Sequence, residues 1–371
     1  MTSHSTSRPV CLLVPLLDGG GGIERATFRL AEGLVRAGQP VDLVLFDRDD
    51  PPGLAVPPGV TRLHVGARRT MEAVPWLVRY LRRRRPRALV GAMPLANLVA
   101  LVSARLARSR THVVVTEHND LHSMWGQAAS RKERVLLRLV GALYPRADAV
   151  VAVSHGLGDR LAALTRLPRS AVAVIHDPVV TPDFHDRAAR PAAHPWLDED
   201  RPVVVSVGRL APQKGHDVLI DAFARVRRHR DARLIIVGEG GQRQALQRRV
   251  DHLGLTDDVH LAGYLADPLP LVARASVFAL ASRYEGLGNA LIEALALGRP
   301  IVAADCPCGP AEILADGRYG DLVPVGAVRE LAEALLARLE RGGDLAPEHA
   351  WTRFRSEVVA DAYLDLLDTL G

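Results

Sequence analysis

Two glutamates, Glu285 and Glu293, lie on either side of a glycine-rich turn that precedes a predicted helix. The apolar run at residues 277–281 leads directly into this segment, which indicates a strand, a turn and a helix start in succession. Backbone N–H groups at a helix N-terminus favour negative charge, and carboxylates accept hydrogen bonds from hydroxyl groups. The pattern therefore predicts a site for a polar, phosphorylated ligand.

The surroundings of Glu293 favour a functional interpretation of this side chain. It falls about one turn inside a helix that Gly298 and Pro300 are expected to end. Its neighbours in the helix are apolar, and a carboxylate buried among them needs a partner to offset its desolvation. A glutamate on an exposed helix face is the ordinary alternative, which the apolar neighbours and the preceding EGLGN turn disfavour.

A basic loop, GRLAPQKG at residues 208–215, follows a predicted buried strand and precedes a helix. Arg209 and Lys214 are suited to hold a diphosphate without a metal ion, since both donate charge-assisted hydrogen bonds. A solvated basic loop is the alternative interpretation, because surface loops often carry charge. Lysine occurs only at Lys132 and Lys214 in this arginine-rich chain, and that rarity favours a role for Lys214.

Four consecutive glycines at residues 19–22 follow the first predicted strand and let the backbone approach a ligand closely. A nicotinamide-dinucleotide site is a rival interpretation, since the second strand ends at Asp47, where a ribose-binding acid would lie. However, the GxGxxG pattern is not met, because Glu24 or Arg25 occupies the place of its third glycine. We therefore disfavour a dinucleotide site.

His118 ends the strand-like stretch HVVVTEH, beside Glu117. Ligands in open α/β sheets bind beyond the carboxyl ends of the strands, so this position predicts a role for His118 at a site. A histidine in a surface loop fits the position equally well.

Metal sites and nucleotide-triphosphate sites are not indicated. Residues 47–49 and 198–200 match DxD, the metal-binding signature of another class of sugar transferases, but both triplets lie in Asp/Pro-rich loops and are interpreted as solvated turns. No His/Cys/carboxylate cluster has metal-ligand spacing, and the GxxxxGK[ST] motif is absent. Three cysteines, with Cys306 and Cys308 in a CxC pair, are too few for a disulfide framework and are expected to be reduced.

Two basic amphipathic helices are predicted in the first half of the chain. An apolar face with a basic flank is able to lie on an anionic membrane surface, although an ordinary helix with a solvated basic end is somewhat favoured. Nucleic acid is a weaker alternative, since aromatic residues make up only 4% of the chain and no stacking motif is present. The basic residues are Arg82, Arg83, Arg84 and Arg85 after residues 71–80, and Arg131, Lys132, Arg134 and Arg138 in the second helix.

The elements that position these residues form an α/β pattern. Near-continuous apolar strands with intervening helices imply parallel sheets covered on both faces. Each polar cluster follows a strand, so two sheets with facing carboxyl edges would gather the clusters in one cleft. The predicted strands are residues 10–16, 41–46, 88–92, 113–116 and 149–153 in the first half, and 203–207, 234–237, 259–262, 277–281 and 301–304 in the second.

The length of 371 residues and the hydrophobic content of 48% predict two domains. We assign residues 1–178 to the first, 179–200 to a Pro- and Asp-rich linker and 201–350 to the second, with the helix at 351–370 a candidate for packing back on the first. The chain has no bilayer-length apolar run and a polar beginning unlike a signal peptide. We therefore expect a cytoplasmic protein, or one at the inner face of the cell membrane.

Residues 208–215, 234–241, 259–264 and 282–314 closely resemble the carboxy-terminal half of retaining glycosyltransferases of family 4. The segment from Glu285 to Glu293 matches the E-x7-E motif of that family, and the TEHN and GGIER stretches are similar to its amino-terminal half. The chain looks most like bacterial members that transfer hexoses or N-acetylhexosamines in glycan assembly. The resemblance implies the GT-B fold, with two Rossmann-like parallel-sheet domains facing across a cleft. Cys308 departs from the small residue that relatives often have at its position.

The resemblance also implies roles for individual residues. Arg209 and Lys214 would hold the donor diphosphate, Glu293 the ribose and Glu285 the hydroxyls of the transferred sugar, with His118 near that sugar. The residues implied in catalysis are His118, Arg209, Lys214 and Glu285. The residues implied in donor binding are Gly20, Gly21, Gly22, Arg209, Lys214, Tyr264, Glu285, Gly286, Leu287, Gly288, Asn289 and Glu293.

The expected activity is transfer of a sugar from a nucleotide diphosphate donor, with UDP favoured, to a glycan or polyprenyl-linked hydroxyl with retained configuration and without a cofactor or metal ion. A non-catalytic nucleotide-sugar or glycan-binding protein is one alternative. A GT-B epimerase or phosphorylase is another, although no lysine follows Lys214 to hold a pyridoxal cofactor.

Overall fold

The chain divides into two compact units. A computed structural model describes residues 8–14, 21–46, 55–67, 69–125, 130–192, 194–343 and 345–371. The first unit comprises Met1–Thr181 with Phe354–Gly371, and the second comprises Pro182–Arg353. Each unit contains its own parallel sheet, so the predicted α/β class is confirmed.

The sheet of the first unit has seven described strands, all parallel, in the order β3-β2-β1-β4-β5-β6-β7. Chain order reverses between β1 and β4, and ligands bind at such switch points in open α/β sheets. The strands are β1 Val10–Val14, β2 Val41–Leu45, β3 Val60–His64, β4 Ala88–Ala92, β5 His112–Glu117, β6 Ala149–Ala152 and β7 Val172–Val174.

The sheet of the second unit has six described strands, again all parallel, in the order β10-β9-β8-β11-β12-β13. Its switch point lies between β8 and β11. The loops that follow these two strands carry Lys214 and Glu285 respectively. The strands are β8 Val203–Val207, β9 Arg233–Val237, β10 Val259–Gly263, β11 Val277–Leu280, β12 Ile301–Ala304 and β13 Asp321–Val323.

Helices alternate with the strands, as parallel connections require. Those of the first unit are α1 Gly22–Arg36, α2 Val74–Arg84, α3 Pro94–Ala107, α4 Leu121–Trp125, α5 Arg131–Leu143 and α6 His155–Thr165. Those of the second unit are α7 Phe184–Ala188, α8 His216–Arg227, α9 Arg243–His252, α10 Leu269–Val272, α11 Asn289–Ala296, α12 Pro310–Ile313 and α13 Val328–Arg341. None of the described helices has both the length and the apolar character needed to cross a membrane.

The final helix, α14 (Ser356–Leu370), belongs to the first unit. Its Val359, Tyr363 and Leu367 are buried in the core that β1, β2 and α1 form. The segment before it is tied to the same unit, because Val180 pairs with Arg355 and accepts the backbone N–H of Ser356. The stretch 179–200 is not a bare linker, since it contains α7 of the second unit.

Three strands were not predicted from the sequence, namely β3, β7 and β13. All three lie at the edge of a sheet. β3 is largely exposed and β13 half-buried. An edge strand needs no apolar face on both sides, so its sequence lacks the continuous hydrophobic run that marks the central strands.

Candidate active site

The loop after β8 brings Lys214 towards the end of β11. Residues 212–214 form a single 3₁₀ turn, and Gly215 then takes a left-handed conformation with φ 62° as α8 begins. A Cβ at Gly215 would lie 2.0 Å from the backbone oxygen of Ala281, so only glycine lets the loop pass this close to β11. The aliphatic part of Lys214 passes beside Gly208.

Lys214 and Glu285 form a direct ion pair. The Lys214 Nζ donates to Glu285 Oε1 at 2.6 Å, and the Ser282 hydroxyl donates to the same oxygen at 2.6 Å. The Lys214 side chain is 19% exposed and that of Glu285 only 6%. A cation from the loop after β8 and a carboxylate from the loop after β11 are therefore in direct contact. Their contact lies at the carboxyl edge of the sheet, where ligands bind in such folds.

The charges of Lys214 and Glu285 affect the pKa values of two neighbouring groups, His216 and Cys306. Burial and the positive charge of Lys214 lower the pKa of His216 to about 4, so its imidazole is neutral at physiological pH. Burial and the negative charge of Glu285 raise the pKa of the Cys306 thiol, although Lys214 opposes this effect. Neither Cys306 nor Cys308 forms a disulfide bond.

Arg209 differs from Lys214 in having no acidic partner among the residues that the structure describes. Its side chain is exposed, directly after the switch-point strand β8. An exposed guanidinium in the same loop as Lys214 is suited to bind an anion, because no acidic side chain of the described residues neutralises it.

Glu293 is buried, with 6% of its surface exposed, in the second turn of α11. The exposed-face alternative is therefore wrong. Gly288 precedes the helix with φ 106°, and Gly298 follows it with φ 63°, as the expected helix end at Gly298 requires. Glu293 thus lies within helix α11 and not on a loop.

Arg187, which the sequence did not single out, lies within the electrostatic field of Glu293. Its guanidinium donates two hydrogen bonds to Asp267, at 2.9 and 2.8 Å. Burial alone would lower the pKa of Arg187, but Asp267, Asp183 and Glu293 together raise it. Arg187 lies on α7, in the stretch interpreted as a linker, where no motif marked it.

The turn Gly286–Gly288, between Glu285 and Glu293, is buried, and the backbone of Gly309 packs directly against it. Gly309 has φ 94°, and a Cβ there would lie 1.8 Å from the backbone oxygen of Leu287. No side chain fits between these two backbones. The close contact at Gly309 therefore fixes the position of the turn, and the turn in turn positions the start of α11.

Replacing Gly309 with alanine is expected to destabilise the protein by more than the roughly 1–3 kcal/mol of a strained backbone alone, because the clash with Leu287 is added. Gly326→Ala is the matched control, since Gly326 also has positive φ (78°) but a Cβ there would have no heavy atom within 4 Å. Thermal unfolding compares the two. Equal decreases in Tm for the two variants would show that the clash with the Leu287 backbone does not contribute to the loss of stability.

Tyr264 follows β10, and its side chain is 44% exposed. The neighbouring strand end is close, because the backbone N–H of Gly238 donates to the oxygen of Gly263 at 2.8 Å. An exposed aromatic ring at the carboxyl ends of β9 and β10 offers a stacking surface for a planar base.

In the first unit, His118 follows β5 and is nearly buried. Its Nδ1 lies 2.9 Å from Asp177 Oδ1, and the two side chains are 9% and 7% exposed. The surface-loop alternative for His118 is therefore wrong. Asp177 lies just before the predicted linker, and no sequence pattern assigned it a role.

The glycine loop is described only in part. Gly21 is the N-cap of α1 and Gly22 its first residue, whereas Gly19 and Gly20 lie outside the described residues. A Cβ at Gly21 would lie 2.7 Å from Glu24 Oε2, so the carboxylate of Glu24 turns back over the helix start.

Glu199, the middle residue of the second DxD triplet, is part of an ion-pair network. Glu199 accepts from Arg201 at 3.0 Å and from Arg233 at 3.3 Å. The carboxylate of Glu199 is therefore engaged by two arginine guanidinium groups. The first triplet, residues 47–49, lies outside the described residues.

Sequence models of two families match the two halves of the chain. The family described as Glycosyltransferase Family 4 matches residues 20–181, and the family described as Glycosyl transferases group 1 matches residues 201–341. The chain belongs to the family 4 glycosyltransferases. The predicted family is therefore confirmed on both halves, including the amino-terminal half whose motifs are fewer.

The curated relatives of this chain have different acceptors in their names. Over 244 residues it is 30% identical to N-acetylgalactosamine-N,N'-diacetylbacillosaminyl-diphospho-undecaprenol 4-alpha-N-acetylgalactosaminyltransferase of Campylobacter jejuni, a match covering 66% of this chain and 64% of the relative. Over 248 residues it is 36% identical to the GDP-mannose-dependent alpha-(1-6)-phosphatidylinositol monomannoside mannosyltransferase of Mycolicibacterium smegmatis, covering 63% and 61%. Each match thus spans less than two thirds of the relative.

Solved structures show that this family 4 glycosyltransferase has the GT-B fold. Alr3699/HepE of Anabaena, solved in complex with UDP and glucose, matches with a TM-score of 0.81 at 21% identity, over 98% of this chain and 100% of that one. Sucrose-phosphate synthase of Thermosynechococcus elongatus matches with a TM-score of 0.78 at 22% identity, over 98% and 99%. The predicted GT-B fold, with two Rossmann-like domains, is confirmed.

Proposed function

We propose that this protein transfers a hexose or N-acetylhexosamine from a nucleoside diphosphate sugar to a hydroxyl group of a glycan or lipid-linked acceptor. The observation that carries the proposal is the Lys214–Glu285 ion pair at the switch point of the second sheet, with the exposed Arg209 in the same loop as Lys214. Family membership supports the reaction type. The diphospho-undecaprenol in the name of the C. jejuni relative supports a lipid-linked acceptor.

In this mechanism the donor is held through its charged and hydroxyl groups. Arg209 and Lys214 bind the diphosphate, Glu285 accepts from a hydroxyl of the transferred sugar, and Glu293 accepts from the ribose. The backbone of Gly286, Leu287, Gly288 and Asn289 borders the bound donor. Tyr264 stacks on the base.

Transfer breaks the bond between the anomeric carbon and the leaving phosphate oxygen and forms a bond from the acceptor oxygen to the same carbon. The acceptor proton passes to the leaving phosphate, so departure and attack take place on one face of the sugar and its configuration is retained. Glu285 is bound by Lys214 and Ser282, which suits a positioning carboxylate better than a nucleophile. Proton NMR of the first product tests retention, and an inverted anomeric signal would contradict it.

Positive side chains supply the charge for the leaving diphosphate in this proposal, without a metal ion. Lys214 and Arg209 act on charge that develops as the bond breaks, which is the step where electrostatic stabilisation is most effective. Initial rates are therefore expected to be unchanged by an excess of EDTA. A loss of rate that added Mg²⁺ or Mn²⁺ restores would overturn the metal-free assignment.

UDP is the proposed nucleotide of the donor. A carboxylate is well suited to accept from the N1–H and N2–H groups of guanine together, and the two carboxylates after β9 and β10 are each paired with an arginine. Arg243 holds Glu239 at 2.7 Å, and Arg187 holds Asp267 through both of its oxygens. The GDP-mannose dependence named for the M. smegmatis relative makes GDP donors the comparison to test.

A donor panel tests the proposed function. UDP-, GDP- and ADP-sugars are compared by release of nucleoside diphosphate and by the rise in Tm, which ranks affinities by mass action. UDP-hexose or UDP-N-acetylhexosamine is expected to give the largest rise in Tm, with slow hydrolysis that lipid-linked acceptor accelerates. Binding without turnover would indicate a non-catalytic sugar-nucleotide protein, and isomerised donor without acceptor would indicate an epimerase.

Helix α5 is proposed to contact an anionic membrane surface, which would place the protein at the inner face of the cell membrane. Val140 is its only fully buried residue, and Val135 and Leu139 are 46% and 43% exposed beside Arg131 and Arg138. Helix α2 does not fit this role, because its Leu77 and Leu81 are buried in the core of the first unit.

Co-sedimentation with vesicles tests the membrane proposal. Wild-type protein is expected to bind vesicles containing phosphatidylglycerol at low salt and to be released as salt rises. Val135→Ser with Leu139→Ser is expected to weaken this binding, whereas Leu253→Ser, an exposed leucine in the second unit, leaves it unchanged. Absence of wild-type binding at low salt would refute the contact.

A further inference from the structure

The loops after β8 and β11 are joined by hydrogen bonds besides the Lys214–Glu285 ion pair. The backbone N–H of Arg283 donates to the oxygen of Gln213 at 2.7 Å. The side-chain amide of Gln213, which is buried, donates to the backbone oxygen of Tyr284 at 3.0 Å. These bonds connect the residue before Lys214 with the two residues before Glu285, so they hold the two backbones together directly beside the ion pair.

The side chain of Arg283 extends this connection to helix α8. Its Nη1 donates to Asp217 Oδ1 at 3.0 Å and its Nη2 donates to Asp217 Oδ2 at 2.7 Å. Nη1 also donates to the backbone oxygen of Pro212 at 2.5 Å. Two parallel hydrogen bonds between a guanidinium and a carboxylate add geometric specificity to the attraction of the charges. The loop after β11 is thereby fixed both to the loop after β8 and to the helix that follows that loop.

Asp217 is a well-fixed acceptor for Arg283. It lies in the first turn of α8, where the helix dipole favours a negative side chain. Partial burial would raise the pKa of Asp217, but the hydrogen bond and charge of Arg283, with the backbone N–H groups of Asp217 and Val218, lower it. The carboxylate is therefore ionised at neutral pH and binds Arg283 as a full charge.

The position of this pair, more than its burial, distinguishes it from ordinary surface ion pairs. The side chains of Arg283 and Asp217 are 37% and 40% exposed, and exposed pairs usually contribute little to stability unless their geometry is bidentate. Asp217 lies three residues after Lys214, and Arg283 lies two residues before Glu285. The pair thus connects the two segments that carry the proposed donor-binding charges.

We propose that Gln213, Asp217 and Arg283 are positioning residues, a loop clamp that holds the Lys214 ammonium where the leaving diphosphate gains charge. Lysine carries its charge on a flexible stem, so the ammonium is placed only as well as the backbone that supports it. A misplacement of about 1 Å at a site is sufficient to cost on the order of 100-fold in rate. The effect on transfer rests on the proposed function, whereas the effect on the Lys214 side chain does not.

A direct contact between Arg283 and the donor is the alternative that its charge suggests. Both terminal nitrogens of the guanidinium are already engaged by Asp217 or Pro212, which favours the positioning role. The two roles predict opposite effects of Asp217→Asn. A direct contact predicts tighter donor binding, because the variant releases Arg283 and removes a negative charge near an anionic ligand. Positioning predicts slower transfer.

Lysine NMR tests the loop clamp without any donor. The chain has only Lys132 and Lys214, so protein with ¹³C-labelled lysine gives Cε–Hε signals from two residues, assigned by the loss of one in Lys214→Met. Lys132 is exposed and is the internal reference. The Lys214 signal is expected to differ from that reference in the wild type and to move towards it in Asp217→Asn and Arg283→Met. An unchanged Lys214 signal in both variants overturns the proposal.

Asp321→Asn is the matched control. Asp321, at the start of the edge strand β13, accepts two hydrogen bonds of 2.7 Å from Arg338 and is 37% exposed. Its replacement is expected to leave the Lys214 signal and the rate of transfer near those of the wild type. Changes as large as those in Asp217→Asn would show that loss of any such pair loosens the second unit, and would overturn a specific role for the loop clamp.

Steady-state kinetics tests the role in transfer. Asp217→Asn and Arg283→Met are each expected to lower kcat about 10- to 100-fold, with a smaller change in KM for the donor. Gln213→Met is expected to lower kcat as well. The double variant Asp217→Asn, Arg283→Met is expected to be no slower than the slower single variant, because both changes remove the same contact.

Two kinetic outcomes would overturn the positioning role. A lower Tm with unchanged kcat in both single variants would show that the pair is only structural. Tighter donor binding without slower transfer in Asp217→Asn would identify Arg283 as a direct donor contact.

The Lys214→Met background shows whether the loop clamp acts through the lysine. In that background, Arg283→Met is expected to cause no further fall in kcat, because no ammonium remains to be positioned. A further fall as large as in the wild-type background would overturn the proposal. If no donor supports transfer, the proposed function fails, and the lysine spectra still decide whether Asp217 and Arg283 position Lys214.

Discussion

Lys214→Met is expected to lower kcat/KM for the nucleotide-sugar donor about 100- to 1,000-fold, the range seen when one preorganised electrostatic group is removed. The lysine is one of two cations proposed at the diphosphate, and no other lysine lies in the second unit. Most of the loss is expected in kcat, because the leaving group gains charge only as the bond breaks. Steady-state kinetics with varied donor measures both constants.

The same substitution also affects folding, and the two effects must be separated. Without Lys214, the buried carboxylate of Glu285 loses its counter-charge, and breaking such a pair costs about 3–5 kcal/mol. The double variant Lys214→Met, Glu285→Gln removes both charges, so it is expected to regain most of the stability and none of the activity. Recovery of transfer in the double variant would contradict the assigned roles.

Arg329→Met is the matched control for loss of a positive charge. Arg329 is 67% exposed and pairs with Glu330 on the surface of the second unit. Exposed pairs contribute little to stability, so Tm and kcat/KM are expected to stay near wild type. If Arg329→Met slowed transfer as much as Lys214→Met, the effect would be one of overall charge and not of the site.

The central strands were predictable from the sequence because they are buried on both faces. Strands β8 and β12 have the predicted bounds, and β1 consists of five fully buried apolar residues. The edge strands β3, β7 and β13 were missed, since partial exposure removes the apolar run on which the prediction depends. Pairing with the neighbouring strand, and not amino-acid composition, determines that β3, β7 and β13 are strands.

The site was predictable where one motif contains both the residue and its element. Glu285 and Glu293 flank a turn and a helix start that the sequence already marks. Both are buried, as the apolar neighbours of Glu293 suggested for that residue. The Lys214–Glu285 contact joins residues 71 apart in the chain, so each residue was predictable from its own motif but the pair was not. Asp177 and Arg187 lie in a stretch without periodicity, and only tertiary contacts distinguish them from other linker residues.

Glu293→Gln is expected to weaken donor binding about 10- to 100-fold, since a hydrogen bond to a charged group contributes about 1.5–3 kcal/mol. The amide keeps the size of the side chain in α11 but accepts from ribose with one oxygen and without charge. KM for the donor is expected to rise more than kcat falls, because ribose is held equally in the ground state and the transition state. Calorimetric titration with UDP measures the loss of binding affinity directly.

A deoxynucleotide comparison decides whether Glu293 acts through the ribose. Wild-type protein is expected to bind 2′-deoxy- or 3′-deoxy-UDP more weakly than UDP, whereas Glu293→Gln and Glu293→Ala are expected to discriminate far less, as a double-mutant cycle requires for two groups in contact. Glu333→Gln, an exposed glutamate on α13, is the control and should behave as wild type. Full discrimination in Glu293→Ala would place the ribose contact on another side chain and leave Glu293 with a purely structural role in α11.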